Sequence, residues 1–200
     1  PFAFAPIHFL DHDVLVFRQG ESGEDGFLLI PEPGEALSLV MRLEDVGYDF
    51  FLTEVGTEAR ETLIMESGMP RWGRGIDADC VIAETPLADC AVSYEKGCYL
   101  GQEVVARLKA YGSPKQKLAG LLIDDDGSPI PQVGVTLHDA EKKIGHVVRC
   151  GFSPTLSTWL ALAYLDREHR TSGQRYTLTT STTDSAFHGV VAHWPVYAPL

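Results

Sequence analysis

The strongest constraint on this chain lies in its second half, where short β-prone runs follow one another at close intervals. They fall at residues 118–123, 136–137, 143–149, 159–164, 175–180 and 189–193. Turn-rich pieces such as DDDGSP (124–129) and TSGQ (171–174) separate them. Strands this short, with turns between them, specify a small all-β barrel or sandwich. The character of the sequence changes near residues 111–117, so a first domain is expected over 1–112 and a second over 118–200.

The first half reads differently. Residues 12–18 (HDVLVFR) and 27–30 are strand candidates, and between them lies QGESGEDG (19–26), with three glycines in eight residues. Such a loop can take positive φ values and bring its backbone close to a ligand. Ala36, Leu39, Val40, Leu43 and Val46 recur at helical spacing, which predicts a helix over 33–46. A second helix is expected from Thr57, as N-cap, to about Ser67, with Gly68 in the C′ position and Pro70 forbidding continuation. Between the two helices, residues 48–54 read as a strand. Strands and helices mixed in this order give an α+β arrangement.

Composition excludes several function classes. Of 200 residues, 44% are hydrophobic and 22% charged, as in an ordinary globular protein. No apolar run approaches a membrane span, so no membrane partner is expected. The net charge of −12 opposes nucleic-acid binding, which needs Lys and Arg to neutralise phosphate. Four cysteines without a Cys-x-x-Cys pair make no disulfide framework, and a reducing, cytoplasmic compartment is expected. The seven histidines are dispersed, His188 and His193 lack supporting ligands, and Asp124 to Asp126 lack calcium-loop spacing; no metal site is expected. The chain has no initiating Met and its first residues lack signal-peptide features, so a fragment of a longer protein is expected.

The segment KGCYLGQE (96–103) carries the chemistry. A thiol flanked by glycines follows Lys96 by two residues and precedes a helix expected over 102–110. A nearby ammonium and a helix N-terminus both favour thiolate, which makes Cys98 the candidate reactive cysteine. The alternative is a small buried hydrophobe in a tight turn. Just beyond, Arg107, Lys109, Lys115 and Lys117 give four positive charges and no acid in eleven residues. A basic strip on an acidic protein attracts anions, unless it is simply a solvated linker.

KGCYLGQEVVARL resembles the signature of YgfZ-type proteins, relatives of the T-protein (aminomethyltransferase) of the glycine cleavage system. GESGEDGF (20–27) resembles the T-protein stretch G-x-T-G-E-D-G-F/Y, and ARETLIMESGMPRWG (59–73) resembles a helix of the same superfamily. Residues 161–165 and PVYAP (195–199) resemble the end of that family's C-terminal barrel. The fold implied is α+β: the C-terminal part of an aminomethyltransferase-type folate-binding domain, its N-terminal portion missing, followed by a small antiparallel β-barrel.

The resemblance implies a tetrahydrofolate-binding protein. Position by position, the motif assigns Cys98 and Lys96 the catalytic role. Glu24, Asp25, Tyr99, Gln102, Glu103 and Arg107 are the candidate folate contacts, and Arg71, Trp72 and Arg74 offer stacking and charge. The YgfZ branch implies an accessory factor in iron–sulfur maturation, with iron–sulfur client proteins as partners beside the reduced folate. A true T-protein, moving a one-carbon unit to tetrahydrofolate and releasing ammonia, is the alternative, and a non-catalytic binding module the third reading. Leu28 stands where T-proteins usually carry a glutamate, and Ile64 where they usually carry an arginine. Both departures point to the YgfZ branch, because an acid and a guanidinium are suited to grip a pterin's polar edge.

Overall fold

The computed structural model describes residues 3–124, 127, 130–180, 183–193 and 196. By its contacts the chain divides into two units, one through Glu61 and the other from Thr62.

The first unit opens with a three-stranded antiparallel sheet, β1 (Phe4–Phe9), β2 (His12–Arg18) and β3 (Phe27–Pro31). Leu10 and Asp11, both at positive φ (51° and 64°), close the first hairpin with Phe9 opposite His12. Two consecutive left-handed residues match the right-handed twist of the flanking strands, although neither is the usual glycine. Helix α1 (Ala36–Gly47) follows and buries its own Leu39. Val14 and Leu39 are the buried apolar side chains of this unit among the described residues, and Phe4, Phe27, Phe50 and Phe51 are exposed.

The strand expected over 48–54 does not form. Tyr48–Phe50 instead continues the helix as a 3₁₀ turn. Phe51, at φ 60°, then donates its N–H to Tyr48 O, and Leu52 donates to Gly47 O. Helix-end carbonyls need donors, and this left-handed cap supplies them. Helix α2 (Thr57–Glu66) crosses into the second unit. Gly56 O accepts the bond from Arg60 N, so the cap falls one residue before Thr57. Gly68, at φ 74°, ends the helix as expected, donating to Met65 O.

In the second unit, short strands β4 (Arg71–Trp72) and β5 (Gly75–Ile76) and helices α3 (Ala88–Ala91) and α4 (Gln102–Tyr111) precede a closed barrel. Its strands are β6 (Gln116–Ile123), β7 (Thr136–Asp139), β8 (Lys142–Ser153), β9 (Thr158–Asp166), β10 (Arg175–Thr180) and β11 (Thr183–Ala192). They run in the closed order β10-β11-β6-β9-β8-β7 and pair antiparallel throughout. The expected β-prone runs all fall on these strands, apart from His193, which lies just past β11. The sequence sets this because side chains alternate along each strand. On β9, Ala161, Ala163 and Leu165 join the barrel core with Leu121, Leu137 and Phe187. Its other face sends Leu160, Leu162 and Tyr164 against Met65 of α2. Burial on both faces explains why β9 reads as a nearly unbroken apolar run. The TSGQ turn forms, with Gln174 N bonded to Thr171 O; most of the 124–129 turn and of PVYAP lies outside the described residues.

Candidate functional site

The cysteine segment is held by its own turn. Gly101 takes φ 86° and ψ 0°, the values of the third residue of a type II turn, which only glycine adopts without strain. Gln102 closes that turn twice: its N–H donates to Tyr99 O at 3.3 Å, and its Oε1 accepts the Tyr99 N–H at 3.2 Å. The Leu-Gly-Gln part of the motif is thus a turn-forming device that launches α4. Cys98 stands just ahead of it and is exposed. That exposure overturns the alternative of a buried hydrophobe in the turn. Lys96 Nζ lies over the Tyr99 ring, 4.8 Å from its centroid, so its charge is engaged by an aromatic face. Glu103 and Arg107 are exposed along α4, and Lys109 sits over the Tyr94 ring at 3.4 Å. Lys96, Cys98, Tyr99 and Gln102 therefore form one local constellation.

Glu24 and Asp25 belong to the first unit. Their loop is closed by Gln19 N donating to Gly26 O at 2.8 Å. A Cβ on Gly20 would stand 1.9 Å from Glu24 O, so backbone crosses backbone there and no side chain fits. Asp25 takes the Arg18 guanidinium at 2.8 and 2.9 Å, and Glu21 pairs with Arg60 of α2. Two of the segments with family resemblance, GESGEDGF and ARETLIMESG, are thus joined by an ion pair. In that second segment Glu66 is 1% exposed. It accepts from Ser153 Oγ at 2.5 Å, Thr155 Oγ1 at 2.9 Å and Thr155 N at 3.3 Å, which fastens the end of α2 to the β8–β9 turn. Ile64, on the same helix, is 1% exposed, whereas Leu28 on β3 is exposed.

Trp72 projects from the tight turn of residues 71–76, whose two short strands pair parallel, and is 74% exposed, so it is not a packing residue of its unit. Sequence reading did not find the Cys80–Tyr164 contact. Tyr164 donates its hydroxyl proton to Gly75 O at 2.7 Å, since a carbonyl only accepts. The phenolic oxygen is then left to accept from the Cys80 thiol at 3.0 Å. Burial pushes the Cys80 thiol up, and pushes Tyr164 far above the ordinary tyrosine range. Cys150 is pushed up to about 11 by burial. No group of three or more His, Cys, Asp or Glu among the described residues is placed to hold a metal ion. No helix among them is long and apolar enough to cross a membrane.

Comparison with known proteins accords with this architecture. Residues 2–96 match the GCVT N-terminal domain, and residues 116–197 match the glycine cleavage T-protein C-terminal barrel domain. An aminomethyltransferase of Caldanaerobacter subterraneus subsp. tengcongensis is 32% identical over 163 residues, 82% of this chain and 42% of that protein. An aminomethyltransferase of Acidobacterium capsulatum is 35% identical over 160 residues, 78% of this chain and 42% of its own length. The crystal structure of glycine cleavage system aminomethyltransferase T from Bartonella henselae superposes with a TM-score of 0.75 at 26% identity. That superposition covers 92% of this chain and 50% of the other. The chain thus spans less than half the length of these curated relatives. Two consecutive domain matches, a closed antiparallel barrel and relatives of one kind place it together: the chain belongs to the aminomethyltransferase superfamily.

Proposed function

We propose that the intact protein binds tetrahydrofolate, in the cytoplasm, and acts on one-carbon units as an aminomethyltransferase. The observation that carries this reading is the ordered pair of domain matches on one chain, with relatives named aminomethyltransferase. The residues present suit a reduced folate. The exposed Trp72 indole offers a stacking face for an aromatic ring system. Gln102, with Oε1 committed to Tyr99, keeps its amide N–H groups as donors for a pterin's polar edge. In this reading tetrahydrofolate supplies the nucleophilic nitrogen that takes the carbon, and the protein binds and orients it. The basic strip Arg107–Lys117 guides the anionic tail toward the site.

A second reading has its own support. Cys98 is exposed on a turn built by its own motif, and Leu28 and Ile64 occupy positions where T-proteins usually hold a glutamate and an arginine. In it the protein is a YgfZ-like accessory factor that uses Cys98 on iron–sulfur clients, with folate as regulator or co-substrate.

Calorimetric titration of tetrahydrofolate into the intact protein, beside Cys98→Ser, tests both readings. Saturable binding is expected, and ammonia release from a methylamine-bearing lipoyl carrier should follow if the first reading is right. Binding without ammonia release, together with loss of client activation in Cys98→Ser, would replace the first reading by the second. No binding at millimolar folate would sink both.

A further inference from the structure

The first unit has a groove along α1 that its buried pair, Val14 and Leu39, does not use. The helix ends in a reversal: Phe51, at φ 60°, turns the chain, and Leu52 donates its N–H to Gly47 O at 3.0 Å. The two segments meet closely there, since a Cβ on Gly47 would stand 2.6 Å from the Leu52 side chain. Leu52, Thr53 and Glu54 are thereby laid back along the helix they follow. Between them and α1 opens a cavity of about 390 Å³, with apolar walls from Val40, Leu43, Tyr48 and Leu52. Tyr48 and Phe51, 81% and 91% exposed, offer further apolar surface in the same reversal. Apolar area gathered around a concavity marks an interaction surface.

Its charge is one-sided. Glu44 and Glu54 both line the groove, and their contact, with the repulsion of the Glu54 charge, holds the Glu44 carboxyl above its ordinary pKa. Among the described residues no lysine or arginine lines it, and α1 has no basic residue in its last turn. Over residues 43–59 the chain carries five acids and no base. Arg42, the cation nearest Glu44 in sequence, is taken by Asp45 at 3.0 Å. The C-terminus of α1 adds the negative end of a helix dipole. Two carboxylates held together at such an end are relieved by a cation, and an ammonium has three N–H donors to share between them. A lysine suits both halves of the groove: its methylene stem lies on the apolar walls while its compact head reaches the acids.

We propose that this groove is the docking surface for a partner protein that presents a lysine from a basic, amphipathic segment. Charge complementarity selects that occupant. An acidic segment would add to the repulsion at Glu44 and Glu54, and a purely apolar one would bury both carboxylates unpaired. Neither folate nor any residue of the cysteine motif takes part in it.

The test follows, by fluorescence anisotropy, the binding of a fluorescein-labelled amphipathic helix of leucine, alanine and lysine to the intact protein. The same helix with glutamate in place of lysine is titrated beside it. The lysine helix should bind saturably at low salt, and the glutamate helix at least about tenfold more weakly. E44Q/E54Q removes a like-charge contact and keeps the shape, so it should fold normally; it should weaken the lysine helix about tenfold, and Tyr48→Ser about threefold. D79N/E141Q, which removes two exposed acids elsewhere, should leave affinity within about twofold. An equal loss in D79N/E141Q would mean general attraction to an acidic chain and would overturn the proposal, as would undiminished binding by E44Q/E54Q. Sedimentation of the intact protein and of Tyr48→Ser separates the other occupants. A dimer that Tyr48→Ser breaks would give the groove to a second copy. No binding of the lysine helix by the intact monomer would give it to the remainder of the same polypeptide, and either result overturns the proposal.

Discussion

At the scale of single residues, the four cysteines separate by environment. Cys90 and Cys98 are exposed, while Cys80 and Cys150 are partly buried. Nucleophilic thiols react as thiolates, so burial suppresses reaction both by access and by raising the pKa. Iodoacetamide at pH 8 should modify Cys98 and Cys90 at least about tenfold faster than Cys80 and Cys150, which should react only on unfolding. Peptide mass spectrometry over a time course reads this directly. Cys80 reacting as fast as Cys98 would show that the Tyr164 contact does not hold the thiol. Much of the candidate motif was legible in its residues: a glycine at Gly101 and an amide at Gln102 make a turn. The environment of Cys98 was not, because whether a turn lies under other segments depends on residues far away in sequence.

At the scale of elements, α2 shows how a helix is joined to a barrel. Its low amphipathicity gives no clear apolar stripe, and the join is mixed: Met65 packs against β9, while Glu66 serves Ser153 and Thr155, and Ser153 Oγ also accepts from Leu156 N at 3.1 Å. Replacing Glu66 by Ala leaves the buried Ser153 hydroxyl without its acceptor, which costs about 1–3 kcal/mol, while the exposed Thr155 can turn to water. A loss of roughly 1–3 kcal/mol in denaturant unfolding is expected for Glu66→Ala, with a smaller loss for Glu66→Gln, which keeps an acceptor. A loss below about 1 kcal/mol would mean that water replaces the carboxylate at little cost. The bounds of α2 and β2 were readable from periodicity and breakers, whereas α1 begins at Ala36, three residues after the expected start, because Gly34 at φ 92° holds a turn there. The run 48–54 was misread as a strand because its apolar residues match strand propensity, while the helix ahead of it still had carbonyls to satisfy.

At the scale of the whole molecule, the barrel holds most of the buried apolar side chains. His146 of β8 stacks on Tyr164 of β9, with ring centroids 5.3 Å apart and planes at 22°. Burial first, and then the Lys143 charge, lower its pKa below the ordinary value. A depressed histidine favours the neutral imidazole in the folded state, so its contribution is complete above the unfolded pKa of about 6.5 and is lost as pH falls below that toward the folded value. Barrel melting temperature should be flat above about pH 7 and decline from about 6.5 downward, and His146→Phe should flatten the upper part of that decline. An unchanged slope in the variant would assign the decline to other groups. The sequence by itself determined a series of short strands fit for a barrel or a sandwich, their positions, and the helix that ends at Gly68, because periodicity, glycine and proline act over a few residues. Tertiary structure alone decided that β9 is buried on both faces, that Glu66 and Cys80 find partners 87 and 84 residues away, and that Arg167 and Arg170 converge on one loop. Those outcomes depend on strand register and barrel closure, which bring together side chains that no local pattern relates.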